Sequence, residues 1–305
     1  MPQVSVMKGA EPWASEGDTT GVLFVHGFTG TPQSLRYWAE GIAADGRTVI
    51  LPRLPGHGTT PDDMQRTTAA EWVAEAEMGL RGLQERCDRI FICGLSMGGT
   101  ITFDLAERFG DVLSGVVTVN ASMFSKDPRV KLAPLLGKLP LKLKGIASDI
   151  AEPGQEELAY RVVPTKAAAS MLSYQARIMS KLAEVRVPVL LFASRNEHVV
   201  NTENSPYILE HVSSTDKELV WLEKSYHVAT LDYDKDLIVE RYAKHEPTNN
   251  DHFAYSPLLE SDRGVILVDA TKVDEARRVI TEELPKHLES IRESMDELER
   301  GGNGK

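Results

Sequence analysis

Along the chain, short stretches in which every residue is apolar alternate with longer ones in which apolar residues recur every third or fourth position. The first pattern is that of strands buried on both faces, the second that of helices laid against them. Strands are predicted at 22–27 (VLFVHG), 47–52 (RTVILP), 89–94 (RIFICG), 115–120 (GVVTVN), 187–194 (VPVLLFAS) and 217–223 (KELVWLE). Helices fill most of the gaps. Segment 31–44 opens with Thr31-Pro32, a capping residue followed by proline at the first helical position, and 68–86 carries apolar residues at helical spacing. This order predicts an α/β fold, a mostly parallel central sheet flanked by helices.

The alternation breaks between Asn120 and Val187, a gap too long for one crossover, whose stretches LAPLLGKLPLKLKG and AAASMLSYQARIMSKLAEV read as short helices separated by Pro and Gly. A small helical cap at 122–186, inserted into a core made of 1–121 and 187–305, is the economical organisation. Beyond 245 the pattern loosens into a polar stretch, a short apolar run (VILVDA) and a helix at about 273–300 with Leu284, Leu288, Ile291, Met295 and Leu298 on one face and a kink at Pro285. That helix reads as packed on its own core in preference to a dimerisation helix, so an oligomer is not indicated. No repeat is present, and the final GGNGK reads as a tail.

Composition narrows the function. With 42% hydrophobic and 26% charged residues, and no apolar run of bilayer length, the chain reads as a soluble globular protein. A net charge of -11 disfavours nucleic acid as a partner. The first residues lack a basic region followed by an apolar core, and the two cysteines, Cys87 and Cys93, read as free thiols. A cytoplasmic setting is therefore expected, with no disulfide framework and no metal site.

Candidate chemistry is concentrated in ICGLSMGGTITF, residues 92–103, where a strand runs into a helix with almost no turn between them. The residue at that junction, Ser96, is forced into a strained conformation, and Gly94, Gly98 and Gly99 keep the neighbourhood thin. A serine lifted above the strand ends at a helix start is a nucleophile in need of a base. In open parallel sheets the chemistry sits at the C-terminal strand ends. There, the loop after 217–223 supplies His227, and the loop after 187–194 (RNEHVV) supplies Glu197, its sole carboxylate. Ser96, Glu197 and His227 thus satisfy the chain order serine, acid, histidine. Each of the last two alone would read as an ordinary surface residue. The first strand runs into HGFTG, whose glycines let the Phe28 amide join the Met97 amide as oxyanion donors, and the Phe28 ring is a candidate acyl-pocket wall. His26 and His57 read as structural, and His198 is given no role.

The stretches LFVHGFTGTP, LPRLPGHGTTPDDM, GLSMGGT and SYHVATLDYD, with the cap stretch IASDIAEPGQEELAYRVVPT, resemble the bacterial monoacylglycerol lipase and carboxylesterase group of the α/β-hydrolase superfamily over roughly residues 9–245. The resemblance implies an ester hydrolase with Ser96 as nucleophile, His227 as base, Phe28 and Met97 as oxyanion donors, and no cofactor. It also implies that Glu157, in EELAY, meets glycerol hydroxyls in a cap where Ile146 is taken with it as a substrate-binding residue; an exposed helix carboxylate is the alternative for Glu157. Two departures stand out: Glu197 occupies a position where the family usually has aspartate, its extra methylene demanding a shifted backbone or another rotamer, and residues 246–305 have no counterpart.

The cap's first half interleaves leucines with Lys126, Arg129, Lys131, Lys138, Lys142 and Lys144. A weak contact with a lipid surface is one reading, and a solvated cap whose leucines cover the site is the other. The substrate expected is a small acyl ester, most simply a monoacylglycerol. A carboxylesterase for short or medium-chain esters is the near alternative, and a hydrolase-fold binding protein the distant one.

Overall fold

A computed structural model describes residues 4–245, 259–261 and 264–266. The apolar runs pair into one sheet, in the order β1 (Trp13–Ser15), β3 (Thr48–Leu51), β2 (Thr20–Val25), β4 (Arg89–Leu95), β5 (Gly115–Val119), β8 (Val189–Ser194), β9 (Lys217–Leu222). All neighbours are parallel except β1 and β3. Fold class and the six main strands agree with the sequence reading, to within a few residues at their ends. Strand β1 escaped it, being only 3 residues long.

Successive residues of a strand face opposite ways, and here the two sets enter two separate cores. Leu23, Val25, Ile90, Ile92, Val116, Val189 and Leu191 pack with the helices α3 (Ala69–Gln84), α4 (Met97–Phe109) and α6 (Thr165–Met179) through Trp72, Leu80, Phe103 and Ile178. Val22, Phe24, Phe91, Cys93, Val117, Leu190 and Phe192 pack with α1 (Gln33–Ala44) and α8 (Lys235–His245) through Leu35, Trp38, Ile42, Ile238 and Tyr242. Complete burial of each such side chain contributes about 1.5–3 kcal/mol. A run that is apolar at every position is therefore what this architecture requires.

Helix starts follow local chemistry. Thr68 caps α3 in a reciprocal box with Glu71, whose Oε2 accepts the Thr68 amide at 2.9 Å. The predicted cap at Thr31 does not form: α1 begins at Gln33, with Pro32 preceding it in helical geometry.

Between β5 and β8 the chain builds α5 (Ala133–Leu136), α6 and an antiparallel ladder of β6 (Lys142–Lys144) with β7 (Val162–Pro164), where the sequence reading expects short helices alone. Asp104 of α4, 1% exposed at its side chain, binds Arg177 of α6 at 2.9 Å and Arg108 at 3.1 Å, fastening this segment to the sheet layer. Residues 4–244 belong to one compact unit, which also contains the α-helices α2 (Pro61–Met64) and α7 (Asn204–His211). In the second unit β10 (Leu259–Ser261) pairs antiparallel with β11 (Gly264–Ile266). The helix expected at about 273–300 and the GGNGK tail lie outside the described residues. Among the described residues no helix is long and apolar enough to cross a membrane.

Candidate active site

Ser96 stands between β4 and α4 with φ 56° and ψ -117°, a conformation that non-glycine residues adopt only under strain. Its amide donates to Val119 O at the end of β5 (3.0 Å), and its carbonyl accepts the amides of Gly99 (2.9 Å) and Ser122 (3.0 Å). The glycines are needed for closeness. A Cβ on Gly98 would overlap the Val25 carbonyl, and one on Gly99 would lie 2.7 Å from Ala121 Cβ.

The loop after β2 passes beside the serine, since a Cβ on Gly27 would lie 3.3 Å from Ser96 Cβ and 3.8 Å from its Oγ. The left-handed residue of this loop is Thr29 (φ 63°), while Gly27 and Gly30 serve close approach; the sequence reading had credited both glycines with conformational freedom alone. Thr29 Oγ1 donates to Phe28 O at 2.6 Å, and Thr29 O accepts the Tyr160 amide at 3.0 Å. Phe28 lies in this loop, its ring edge-on to Trp72 and His57. Met97 opens α4, so its amide belongs to the first turn, where amides lack intrahelical acceptors.

The neighbouring strand ends bring Glu197 and His227 together. Glu197 Oε2 lies 2.8 Å from His227 Nδ1, with side chains 1% and 10% exposed. The other carboxylate oxygen accepts the amides of Val199 (2.6 Å) and Val200 (3.1 Å), so the loop itself holds the longer side chain in place. Burial alone would raise the Glu197 carboxyl, but His227 and the two amides outweigh it and hold it below the usual carboxylate range. Burial likewise opposes charging His227, yet Glu197, with Glu157 and Asp149 behind it, raises that ring's pKa. The bond places the proton on Nδ1 and leaves Nε2 as the basic nitrogen.

His26 and His57 are fully buried. The His26 Nδ1 lies 3.0 Å from Gly27 O, its Nε2 accepts the Leu54 amide at 3.1 Å, and burial pushes its pKa down to about 4. His198 pairs with Asp149 at 3.0 Å, not with His227.

Glu157 is partly buried beside the Gly30 turn, where a Cβ on Gly30 would lie 2.7 Å from its Oε1. Burial pushes its carboxyl up, with the charge of His227 acting in the opposite sense. Gln33 clamps both sides of this position, donating to Glu156 O (3.1 Å) and accepting the Leu158 amide (3.0 Å). Ile146 is 60% exposed, in the leucine-rich part of the inserted segment.

Three polar residues here were missed by sequence reasoning. Asp149 accepts the His227 amide (3.2 Å), Asp232 accepts four amides including that of Tyr226 (2.9 Å), and Asn120 donates to the His227 carbonyl (2.8 Å). Asp232 stood in plain view in SYHVATLDYD, but an isolated aspartate carries no signal of its distant partners.

A mostly parallel sheet bearing a strained serine at the end of β4, with a buried carboxylate–histidine pair following β8 and β9, one strand removed across β5, is the α/β-hydrolase arrangement. Within that class, the family model described as serine aminopeptidase, S33, matches residues 19–234, and the chain belongs to this family. It is 47% identical over 249 residues to a thermostable monoacylglycerol lipase of Bacillus sp. (strain H-257), covering 80% of this chain and 98% of that one. It is 28% identical over 231 residues to a carboxylesterase of Bacillus subtilis (strain 168), covering 75% and 92%. A structure from work on LipS and LipT, two metagenome-derived lipolytic enzymes, matches with a TM-score of 0.76 at 46% identity, covering 78% and 98%.

Proposed function

We propose that the protein hydrolyses monoacylglycerols to glycerol and fatty acid through an acyl-enzyme on Ser96. The observation that carries this reading is the buried 2.8 Å pairing of Glu197 with His227 behind the C-terminal ends of the same sheet whose strand β4 ends at the strained Ser96. His227, oriented by Glu197, takes the Ser96 proton as Oγ attacks the ester carbonyl, and the Phe28 and Met97 amides hold the oxyanion. The alcohol leaves with that proton, and water repeats the sequence to free the acid. No step calls on a metal or cofactor.

The choice of ester is supported by the 47% identity to a monoacylglycerol lipase and by Glu157, whose carboxyl beside the Gly30 turn offers oxygens to substrate hydroxyls. Residues 122–186 act as a cap. Exposed Leu132, Leu135, Leu139, Leu141 and Leu143, with Ile146, form its apolar rim for the acyl chain, and the lysines among them favour a weak contact with the lipid boundary from which substrate is drawn. A general carboxylesterase is the second reading, favoured by the Bacillus subtilis relative.

The deciding experiment compares the protein with its Ser96→Ala variant on a medium-chain monoacylglycerol, on p-nitrophenyl butyrate and on an amino-acid amide. Serine-dependent turnover fastest on the monoacylglycerol supports the proposal. Equal rates on both esters favour the carboxylesterase, turnover of the amide alone favours peptide-bond chemistry, and inactivity on all three points to a binding protein.

A further inference from the structure

Asn120 follows the last residue of β5 and adopts φ 47°, although it is not glycine and is 3% exposed. A buried left-handed residue with a Cβ persists only where its surroundings hold it. Its amide donates to Phe192 O (2.9 Å). The left-handed turn goes with a side chain directed at the end of the neighbouring β8 and, past it, at the loop after β9: Oδ1 accepts the Ser194 amide (2.7 Å), while Nδ2 donates to Ser194 Oγ (2.9 Å) and to His227 O (2.8 Å), with Tyr226 O farther off at 3.3 Å. Ser194 Oγ in turn donates to Tyr226 O (2.8 Å).

Asn120 and its chain neighbours thus touch the three segments that carry Ser96, Glu197 and His227. Val119, immediately before it, accepts the Ser96 amide, and Ser122, just beyond, donates to the Ser96 carbonyl. Ser194 closes β8 and leads into the Glu197 loop, and His227 is held by its own carbonyl. An imidazole must hold its nucleophile and its acid at hydrogen-bond distance together, and displacement of order 1 Å costs about a hundredfold in rate.

We propose that Asn120 is a positioning residue that sets His227 against Ser96, acting on turnover without touching substrate. The proposal rests on the reading of His227 as general base. Asn120→Gly is the informative variant, because it keeps the left-handed backbone and deletes only the side chain; Asn120→Asp keeps the Ser194 amide bond and loses the donor to His227 O.

With p-nitrophenyl butyrate, well below the unfolding temperature and with the fold checked by circular dichroism, both variants are expected to lose about ten- to a hundredfold in kcat, with KM within about twofold. Labelling of Ser96 by a fluorophosphonate slows in parallel. In a His227→Ala background, Asn120→Gly then lowers the residual activity no further, because the residue it positions is gone. Unchanged kcat with a lowered unfolding temperature overturns the proposal in favour of a purely structural role. So does a full additional loss in the His227→Ala background, which would place the effect elsewhere. Full activity of His227→Ala itself would sink the general-base reading first, a result separable from the other two. Should Asn120→Gly fail to fold, Asn120→Asp carries the same test.

Discussion

Asp232 accepts the main-chain amide of Ala151 at 2.7 Å, across 81 residues of sequence, on the same carboxylate oxygen that accepts the Tyr226 amide at 2.9 Å. Its second oxygen takes the amides of Glu152 (2.9 Å) and Tyr233 (2.8 Å), and the whole side chain is buried. One carboxylate thus ties the inserted segment to the His227 loop. Asp232→Ala leaves these amides without their acceptor, and the expected loss is about 3 kcal/mol of unfolding free energy, read as a lower urea midpoint.

Glu197→Ala is expected to cut kcat by about 10³–10⁴-fold, the scale of losing a triad acid. Glu197→Asp is expected to fall between that variant and the parent, since a side chain one methylene shorter cannot keep both His227 and the Val199 and Val200 amides. Steady-state kinetics on one simple ester measure both. A loss below about tenfold for Glu197→Ala would assign the acid to another group.

The pH dependence follows from the raised His227 pKa. The ring acts as a base only when neutral, so the acid limb of kcat/KM is expected above about 6.5, the ordinary histidine value. Glu197→Gln removes the charge that favours imidazolium and moves the limb to lower pH. Stability follows the same shifts: the His227 contribution is fully present below the ring's unfolded pKa and is lost as pH rises through its folded pKa. That of Glu197 is present above its unfolded pKa and is lost as pH falls through its lowered folded pKa. Rate profiles and urea midpoints across pH check both signs.

Gly30→Ala places a methyl 2.7 Å from the present position of Glu157 Oε1 and drives that carboxyl away. The expected result is about a tenfold loss of kcat/KM on a monoacylglycerol, the value of one hydrogen bond of ~1.4 kcal/mol, with ethyl butyrate little changed. Glu157→Ala is expected to reproduce the same selective loss. An unchanged ratio between the two esters in both variants would remove Glu157 from the alcohol site.

The central strands were legible because burial on both faces makes every position apolar, and the serine junction because small residues on either side of Ser96 stand between an apolar run and a helical pattern. Strands β1, β6 and β7, each 3 residues long, fall below the length at which a period can be read. Asn120 was visible only as the last letter of a predicted strand, GVVTVN. Its role comes from Ser194 and His227, 74 and 107 residues away, which no local pattern encodes. Asp149 was hidden for the same reason. Glu197 could be placed by its strand end, but the loop amides that accommodate its length could not.

The four non-glycine residues with positive φ among the described residues are Thr29, Ser96, Asn120 and Ser148. Thr29 and Ser96 lie at the serine and the turn beside it, Asn120 holds the His227 loop, and the Ser148 hydroxyl accepts the Glu157 amide at 2.9 Å. Each such conformation costs about 1–3 kcal/mol, so backbone strain is gathered where chemistry is proposed. Glycine at Thr29 or Ser148 would relieve that strain but delete the hydroxyl that bonds Phe28 O or the one that accepts the Glu157 amide, so at each position the strain and the hydrogen bond it makes possible come as one unit.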